Sequence, residues 1–356
     1  MNTARRRFVH VFSTFGRGGP QIRAAQLMRQ LGDTCEHVVM AMDGDVAARQ
    51  QLPEGVDVTF CEPPPRAGFA QTARQQRAWL QQQRPDLVLT YNWGAIETVA
   101  AAKKLRLPRV HHEDGFAPDE ANRVLRRRNW MRWWLLRGSP LVVPSRVLLE
   151  HARRHWRLPA THLVNGVDLQ RFAPASVEPA AFTVGSVGGL RPEKDYATLL
   201  RAVARAQQPA SVRLVGSGPL EGELRALAAE LGISRRVDFA GFTDDTAACY
   251  RTFSLFVLSS ITEQMPIALL EAMASGLPCV ATDVGDVRAI LPPSGTRFVV
   301  PPSAADALAA AIDELAADEA LRRAQGEANR VRAEHFEADA CLQRFCDLYR
   351  SVMRAG

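Results

Sequence analysis

Residues 259–282 read S-S-I-T-E-Q-M-P-I-A-L-L-E-A-M-A-S-G-L-P-C-V-A-T, and this stretch decides the fold of the second half of the chain. The apolar run Leu255 to Leu258 predicts a buried strand directly before it. Pro266 stands where a helix begins, a position that tolerates the missing N–H group, and Gly276 marks the helix end. We therefore expect a strand, a polar loop and a helix whose first amides can hold an anion.

Two acidic residues stand in this stretch, Glu263 in the loop and Glu271 in the helix. Glu271 lies among apolar residues, where an acid needs a hydrogen-bonding partner. A surface loop with one solvated glutamate is the alternative interpretation. If both acids were helical, they would lie about 12 Å apart at 1.5 Å per residue. That exceeds the roughly 5–9.5 Å between the two carboxyl groups of a glycosidase, so a glycoside hydrolase is disfavoured.

The E-x7-E pattern followed by A-M-A-S-G-L-P resembles the donor site of glycosyltransferase family 4. The variant T-E-Q-M-P is similar to a bacterial polysaccharide or lipopolysaccharide branch, although Gln264 replaces the usual small residue. The resemblance covers nearly the whole chain. It implies an α/β protein of the GT-B fold, with two doubly wound Rossmann-like domains facing each other across a cleft. It also implies a retaining enzyme that holds a nucleotide-sugar in the C-terminal domain and the acceptor in the N-terminal domain.

Length and composition are those of a two-domain protein without export signals. The chain has 356 residues, of which 47% are hydrophobic. Its six cysteines form no C-x-x-C pair, so reduced thiols are expected rather than a disulfide or metal framework. Residues 1–16 hold too short an apolar run for a signal peptide, and no run approaches the ~18 residues of a membrane span. These features predict a cytoplasmic protein.

Charge is concentrated in the first half of the chain. Residues 1–175 hold 26 Lys+Arg and 15 Asp+Glu, which gives +11, whereas residues 176–356 hold 18 and 23, which gives −5. Residues 123–137 interleave six arginines with three tryptophans, Trp130, Trp133 and Trp134. This composition predicts peripheral contact with an anionic inner membrane surface. An ordinary helix with buried tryptophans is the alternative, and no nucleic-acid-binding module is visible.

The first third of the chain alternates strands with helices, which predicts a parallel sheet covered on both faces. A strand from Phe8 to Phe12 is followed by a glycine turn and then by a helix from Gln21 to Leu31. Gly18 and Gly19 in this turn would let a ligand approach the backbone closely. The turn does not match G-x-G-x-x-G. The resemblance implies a Gly-Gly turn that faces the cleft and contacts the donor.

A cluster of titratable residues follows a later strand, in the sequence P-R-V-H-H-E-D-G-F of residues 108–116. Side chains at the carboxyl end of such a strand lie where open α/β sheets bind ligands. In the family a histidine after this strand touches the transferred sugar, and that position falls on Asp114. His111 and His112 are the alternative candidates for the catalytic role. A hydrogen-bonded histidine pair that supports the loop is the competing interpretation, and no zinc-ligand spacing is present.

The domain boundary is predicted in the Pro- and Ala-rich stretch at residues 173–181. The N-terminal domain would span 1–175 and the C-terminal domain 176–336. The N-G-V-D turn at 165–168 leads into this link. In the resembling fold a final helix, at about 337–356, packs back on the N-terminal domain.

Two further loops in the second half contain candidate phosphate ligands. Lys194 precedes a helix from Tyr196 to Ala206, where a phosphate meets both the ammonium group and the helix amides. The resemblance implies a diphosphate contact from Lys194. It also implies an arginine contact. The position of that arginine falls on Gly189, so the contact is either missing or supplied by Arg191. The resemblance also implies that the turn L-V-G-S-G-P, which contains Gly216 and Gly218, lies beside the nucleotide base.

The reaction expected from these residues is glycosyl transfer without an essential metal or other cofactor, since no D-x-D motif appears where the donor would bind. The backbone amides from Ile267 onward would hold the terminal phosphate, with Glu271 on the ribose hydroxyls and Glu263 on the sugar hydroxyls. The acceptor would be a glycan or a lipid-linked sugar. A non-catalytic nucleotide-sugar or glycan-binding protein of the same fold is the alternative function.

Overall fold

The computed structural model of the chain describes residues 5–52, 55–65, 67–115, 125–177, 179 and 181–355. The chain divides into two compact units. Unit 1 comprises Met1–Asn165 and Asp339–Gly356, and unit 2 comprises Gly166–Ala338. The division lies ahead of the Pro- and Ala-rich stretch in which the sequence analysis places the domain boundary.

A parallel sheet forms the framework of unit 1. Its strands within the described residues are, in chain order, β1 (Arg6–Phe12), β2 (Cys35–Ala41), β3 (Val58–Cys61), β4 (Leu87–Tyr91), β5 (Arg109–His112), β6 (Leu141–Val143) and β7 (Thr161–His162). They are hydrogen-bonded in the order β3-β2-β1-β4-β5-β6-β7. The order reverses at the β1–β4 pair, so the topological switch point, where such sheets bind ligands, lies there.

Unit 2 repeats this plan with a second parallel sheet. Its strands in the described segments are β8 (Thr183–Val187), β9 (Ser211–Val215), β10 (Val237–Gly241), β11 (Leu255–Leu258), β12 (Cys279–Thr282) and β13 (Val299–Val300). Their order is β10-β9-β8-β11-β12-β13, which reverses at the β8–β11 pair. The predicted β-α alternation and the predicted strand Leu255 to Leu258 are confirmed. The chain therefore forms two parallel α/β units rather than a single sheet.

Helices connect the strands, because parallel neighbours need a crossover. The helices within the described residues are α1 (Gly19–Leu31), α2 (Phe69–Gln83), α3 (Ile96–Lys104), α4 (Arg126–Leu136), α5 (Arg146–His151), α6 (Tyr196–Arg205), α7 (Glu221–Glu230), α8 (Thr246–Tyr250), α9 (Ile267–Ala274), α10 (Val287–Ile290), α11 (Ala305–Ala317), α12 (Glu319–Ala333) and α13 (Ala338–Ala355). All but the first residue of α13 belong to unit 1. In the part of the chain that is described, none of these helices is both long and apolar enough to cross a bilayer.

The sequence predicts a helix that Ser145 caps and that runs to about Trp156, and a strand from Arg297 to Val300, and both elements differ in the structure. The helix after Ser145 ends at His151 and continues as a single π turn, Ala152–Trp156, rather than running unbroken to Trp156. The strand predicted from Arg297 to Val300 is a 3-10 turn, Pro293–Phe298, that leaves only Val299–Val300 in the sheet. The prolines at the start of that turn, Pro292 and Pro293, have no N–H group and cannot donate to a sheet ladder.

Each sheet is buried against its own helices. In unit 2 the inward faces of the strands and of α6 and α11 form a core in which Leu199, Leu214, Val257 and Ile312 are fully buried. Each such side chain stabilises the fold by roughly 1.5–3 kcal/mol relative to leaving it exposed. The strands are therefore rigid, and the loops at their carboxyl ends have fixed starting points.

Candidate functional site

Two loops leave the switch point of the unit 2 sheet, one after β8 and one after β11. Ligands of open parallel sheets bind outside such strand ends. The Ser259 hydroxyl donates a hydrogen bond to the Lys194 carbonyl at 2.8 Å, which joins the two loops. The residues that the sequence analysis selects in these loops are therefore held at one edge of the sheet.

Lys194 and Glu263, which lie 69 residues apart in sequence, form an ion pair at this edge. Their side chains are 22% and 16% exposed, so a ligand can reach them. The Ser260 hydroxyl also donates to Glu263 Oε1, at 3.0 Å. Burial lowers the pKa of Lys194, but the Glu263 carboxylate, together with Tyr196 and Glu193, raises it, and the net shift is upward. The lysine is therefore fully charged in the free protein.

Arg191 lies in the same loop as Lys194. Its Nη1 atom is 3.8 Å from Glu193 Oε1, and its side chain is half exposed. A Cβ atom built on Gly189 would lie 2.8 Å from Arg191 Nε. The guanidinium group thus occupies the space beside Gly189, and its contact with a diphosphate stays a prediction.

The glycines of the β8 and β9 turns serve close packing between the two turns. A Cβ atom on Gly216 would lie 2.0 Å from the Gly188 carbonyl oxygen, and one on Gly218 would lie 2.4 Å from the Leu190 carbonyl oxygen. The Gly188 amide donates to the Val215 carbonyl at 2.9 Å. The predicted contact of Gly216 and Gly218 with a nucleotide stays a prediction, since the structure explains both glycines by packing.

Helix α9 begins directly after the Glu263 loop. Pro266 precedes it with φ −69° and ψ 113°, and Ile267 is the first helical residue. The first amides of a helix have no intrahelical partner, and together with the helix dipole they attract an anion. Gly285 has φ +51°, and a Cβ atom there would lie 2.4 Å from the Glu263 carbonyl oxygen. Only glycine at position 285 allows this segment to pack so closely against the loop that contains Glu263.

Glu271 lies one turn into α9, and its partner is Tyr250 at the end of α8. The Tyr250 hydroxyl donates to Glu271 Oε2 at 2.8 Å and lies 3.0 Å from the Ala268 carbonyl oxygen. Burial raises the pKa of Glu271 to about 7, although the Tyr250 hydrogen bond and the nearby Arg171 charge both lower it. The sequence analysis correctly expects a partner for this acid but does not identify Tyr250.

His111 and His112 of unit 1 are both fully buried and hydrogen-bonded. Thr90 Oγ1 lies 2.8 Å from His111 Nδ1, and Glu113 Oε2 lies 3.2 Å from His111 Nε2. His112 Nε2 lies 2.9 Å from the Tyr349 hydroxyl of α13. Burial, followed by the Arg23 and His111 charges, lowers the pKa of His112 well below its ordinary value. The pair supports the loop from within, which is the competing interpretation of the sequence analysis.

Asp114 follows the two histidines and forms a nearly buried ion pair with Arg23 of α1. Arg23 Nη2 lies 2.7 Å from Asp114 Oδ1, and the side chains are 3% and 6% exposed. Arg23 Nη1 also donates to Asn165 Oδ1 at 2.9 Å. The Asp114 amide donates to Asn92 Oδ1 at 2.7 Å. Among the described residues, Asp114 Oδ2 has no hydrogen-bond partner.

Sequence reasoning missed a second buried ion pair next to this loop, between Glu113 and Arg132 of α4. Arg132 Nη2 lies 3.0 Å from Glu113 Oε1, and both side chains are fully buried. The Arg132 guanidinium also lies over the Trp93 and Trp156 rings, at 5.0 and 4.7 Å. Arg23 and Arg132 each stand beside apolar residues of their helices, such as Leu27 and Leu135. An arginine next to apolar residues in a helix indicates a buried charge that needs an acidic partner, and this pattern could have identified both arginines from the sequence.

Gly18 and Gly19 begin α1 at the switch point of the unit 1 sheet. Gly18 caps the helix in an extended conformation, and Gly19 is the first helical residue. A Cβ atom on Gly18 would lie 2.8 Å from Gln21 Oε1, and Gln21 Nε2 donates to the Thr14 carbonyl at 2.7 Å. The turn is therefore closed by Gln21, and its contact with a donor stays a prediction.

Helix α4 carries the Arg- and Trp-rich segment, of which Arg123 lies outside the described residues. Trp130 and Trp134 are 61% and 56% exposed, and their parallel rings stack with centroids 6.4 Å apart. Trp133 is partly buried and packs on the unit 1 core. The helix thus buries Arg132 and partly buries Trp133, and it exposes the other two tryptophans, while membrane contact stays a prediction.

Two family models match adjoining parts of the chain. The model described as Glycosyltransferase Family 4 matches residues 17–171, and the model described as Glycosyl transferases group 1 matches residues 171–332. The first match lies largely in unit 1, and the second lies in unit 2.

Relatives with curated descriptions come from several bacteria. The protein EpsF of Bacillus subtilis is 36% identical over 135 residues, 34% of this chain and 35% of that protein. The lipopolysaccharide core biosynthesis mannosyltransferase LpcC of Rhizobium leguminosarum is 31% identical over 236 residues, 62% of this chain and 65% of that protein. A D-inositol 3-phosphate glycosyltransferase of Streptomyces bingchenggensis is 26% identical, over 97% of this chain and 87% of that protein. The chain thus spans about a third and just under two thirds of the first two relatives.

Solved structures share the fold over almost the full length. Anabaena HepE in complex with UDP has a TM-score of 0.81 at 19% identity and covers 97% of this chain and 100% of that one. Sucrose-phosphate synthase from Thermosynechococcus elongatus has a TM-score of 0.82 at 22% identity and covers 99% and 100%. The two parallel-sheet units, the E-x7-E stretch and the two adjoining family matches agree, and the chain belongs to glycosyltransferase family 4 and has the GT-B fold.

Proposed function

We propose that the chain is a retaining glycosyltransferase that moves a sugar from a nucleotide-sugar to a glycan or lipid-linked acceptor in cell-surface polysaccharide synthesis. The observation that carries this proposal is the Lys194–Glu263 pair at the switch point of unit 2, directly before α9. A cation and helix amides suit a diphosphate, and a carboxylate suits sugar hydroxyls. The description of LpcC as a lipopolysaccharide core enzyme supports the cell-surface setting.

The donor is assigned to unit 2, with Lys194 and Arg191 on its diphosphate. Positive charge placed where the departing diphosphate develops negative charge lowers the reaction barrier. Glu263 already satisfies Lys194 in the free protein. We expect the bound phosphates to share the lysine, so that Glu263 can accept hydrogen bonds from the sugar. Amides from Ile267 onward take the terminal phosphate, and Glu271 takes the ribose hydroxyls.

The acceptor is assigned to unit 1, with Asp114 as the first candidate for contact with the reacting sugar. His111 and His112 are buried and hydrogen-bonded, whereas Asp114 Oδ2 is without a described partner. Asp114→Asn should therefore lower transfer strongly and leave nucleotide affinity unchanged. His111→Gln and His112→Gln test whether the histidines act directly or support the loop. Three variants with full activity would remove this cluster from the mechanism.

Retention of the anomeric configuration and independence from metal ions are further parts of the proposal. The family resemblance supports retention, and two cationic side chains beside the diphosphate site support a reaction without a resident metal. Proton NMR of the first product formed reports the anomer directly. Activity that survives chelation with EDTA supports the metal-free proposal, and activity restored only by added Mg²⁺ or Mn²⁺ contradicts it.

We also propose that the exposed face of α4 docks on an anionic membrane surface, where a lipid-linked acceptor would lie. Trp130 and Trp134 are aromatic residues of the kind found at the membrane interface, and the exposed Arg126, Arg127 and Arg137 can each contribute about 1 kcal/mol near anionic lipid. Flotation with anionic liposomes at low salt should recover the protein, and high salt should release it. Trp130→Ser with Trp134→Ser should reduce recovery. Equal recovery of the protein with anionic and with neutral liposomes would contradict the proposed electrostatic attraction to the membrane.

The second candidate function is a non-catalytic nucleotide-sugar-binding protein. It is favoured by two departures from the family pattern, Gly189 in place of arginine and Asp114 in place of histidine. A thermal-shift screen with UDP-, GDP- and ADP-sugars identifies the donor, because a ligand that binds only the native state raises stability. UDP-glucose is the first choice, since HepE is described in complex with it. Slow hydrolysis of that donor without acceptor supports an enzyme, and binding without hydrolysis supports the alternative.

A further inference from the structure

The Glu271 carboxylate is oriented by one side chain of a neighbouring helix. In the described part of the chain, Tyr250 is the only side chain that hydrogen-bonds this carboxylate, at 2.8 Å through Oε2. Glu271 is partly exposed, so Oε1 is left to accept a hydrogen bond from a ligand. The hydroxyl of Tyr250 therefore determines which carboxylate oxygen is available.

Tyr250 is held rigidly by aromatic neighbours. It is fully buried, and its ring packs in edge or tilted geometry on Phe172, Phe253 and Phe256 at centroid distances of 5.7–5.8 Å. Close packing of this kind restricts the ring to one rotamer. The hydroxyl thus stays at one position, within reach of both the Ala268 carbonyl and the Glu271 carboxylate.

The Tyr250 hydroxyl donates a hydrogen bond to Glu271, and the strength of this bond depends on whether Glu271 is ionised. A hydrogen bond to a charged carboxylate is stronger than one to a neutral carbonyl. The hydrogen bond to Glu271 therefore strengthens when the carboxyl group ionises. Burial raises the pKa of Glu271 and this hydrogen bond lowers it, and the resulting pKa is about 7. Arg171 is the other charged group that lowers this pKa, and Tyr196 and Cys279 act on Tyr250 itself. Arg330 of α12, which also packs on α9, bonds the Ala274 carbonyl.

We propose that Tyr250 is a positioning residue that orients the Glu271 carboxylate toward the ribose hydroxyls and sets the pH range in which unit 2 binds a nucleotide. The inference rests on the proposed function, because it takes Glu271 as the ribose ligand. A charged carboxylate accepts hydrogen bonds from hydroxyls better than a protonated one. Affinity for a nucleoside diphosphate should therefore rise with pH through neutrality and level off above it.

The test is calorimetric titration of the wild-type chain, Tyr250→Phe and Glu271→Gln with UDP, GDP and ADP between pH 5.5 and 9. Tyr250→Phe removes the hydroxyl and keeps the ring, so the midpoint of the affinity profile should move to higher pH. Its Kd should be raised roughly threefold to tenfold at pH 7, the effect of one lost hydrogen bond. At pH 9 Glu271 is ionised in both proteins, so the pH-dependent part of the difference should disappear, and the Kd that remains above wild type measures the lost orientation of the carboxylate.

Two controls separate this effect from other titrations. The glutamine of Glu271→Gln cannot ionise, so the pH dependence of its nucleotide affinity comes only from the phosphate groups and the rest of the site. The difference between the wild-type profile and this one therefore gives the contribution of Glu271. Tyr349→Phe removes a buried hydroxyl in unit 1 and should leave nucleotide affinity unchanged at every pH. If a nucleotide binds but the profiles of wild type and Tyr250→Phe coincide, the positioning role is wrong and the proposed function stands. If no nucleotide binds the wild type at any pH, the proposed function itself fails.

Discussion

At the scale of single residues, the pairing of Lys194 with Glu263 determines what a substitution at either position does. Lys194→Met leaves the partly buried Glu263 carboxylate without its cation. We expect this variant to lose about 1–3 kcal/mol of unfolding free energy as well as nearly all turnover. Urea denaturation and a donor-turnover assay measure the two effects separately.

The double variant Lys194→Met with Glu263→Gln separates stability from catalysis. It removes both charges, so most of the lost unfolding free energy should return, whereas turnover should not. A double variant as unstable as Lys194→Met would show that the lysine acts through something other than this ion pair. Recovery of turnover would show that neither charge is needed for transfer.

Glu271 should make stability depend on pH in an unusual direction for an acid. Its pKa in the folded protein is about 7, above the ordinary value of 4.5. The folded state therefore binds the proton more tightly than the unfolded state, and the associated stability is complete below pH 4.5 and is lost as pH rises through 7. Glu271→Gln should thus gain melting temperature relative to wild type at pH 8 but not at pH 5. An equal difference at both pH values would contradict the shifted pKa.

The site residues that could be predicted from sequence are those in the loops of unit 2. Lys194, Glu263 and Glu271 stand at recognisable strand-to-helix junctions, so their neighbourhood follows from chain order. The partners Tyr250, Arg23 and Arg132 could not be assigned, because each contact joins two different elements and the sequence does not show which of their side chains face each other. Both histidines His111 and His112 are buried and hydrogen-bonded, but sequence alone does not tell a hydrogen-bonded core histidine from an exposed one, and their role in transfer stays a prediction.

At the scale of elements, α4 has an exposed aromatic face on one side, and on its buried side Arg132 forms an ion pair with Glu113. Arg132→Met leaves Glu113 buried without its charged partner, and such a loss typically costs about 3–5 kcal/mol. The pKa of Glu113, which Arg132 and His111 lower against the effect of burial, should then rise. Urea denaturation followed by tryptophan fluorescence measures the loss of stability.

Arg127 on the same helix is the matched control, because its side chain is exposed. Arg127→Met should change unfolding free energy by less than about 0.5 kcal/mol, as surface substitutions usually do. Equal losses for the two arginine variants would mean that helix propensity rather than the buried pair accounts for the effect. The element bounds themselves were predictable wherever apolar runs are long, and failed at the π turn after α5 and at β13, where strand and turn residues adjoin.

At the scale of the whole molecule, the two units differ in the groups that respond to acid. The buried histidines His10, His37, His111 and His112 are all in unit 1, as are all six tryptophans of the sequence. Burial lowers the pKa of His37 to about 4, and burial together with the His37 and His112 charges lowers that of His10. His10 Nε2 lies 3.0 Å from His37 Nδ1, so protonating either ring disturbs the other.

Unit 1 should therefore lose stability in acid before unit 2 does. The unfolded state binds the His37 proton near pH 6.5 and the folded state only near pH 4, so stability falls across that window. His37 alone accounts for about 3 kcal/mol of this loss, at 1.36 kcal/mol per pKa unit. Tryptophan fluorescence follows unit 1 alone, and far-UV circular dichroism follows the helices of both units. His37→Gln should weaken the acid transition, whereas the exposed His155→Gln should not. Simultaneous loss of both signals in all three proteins would contradict separate acid responses.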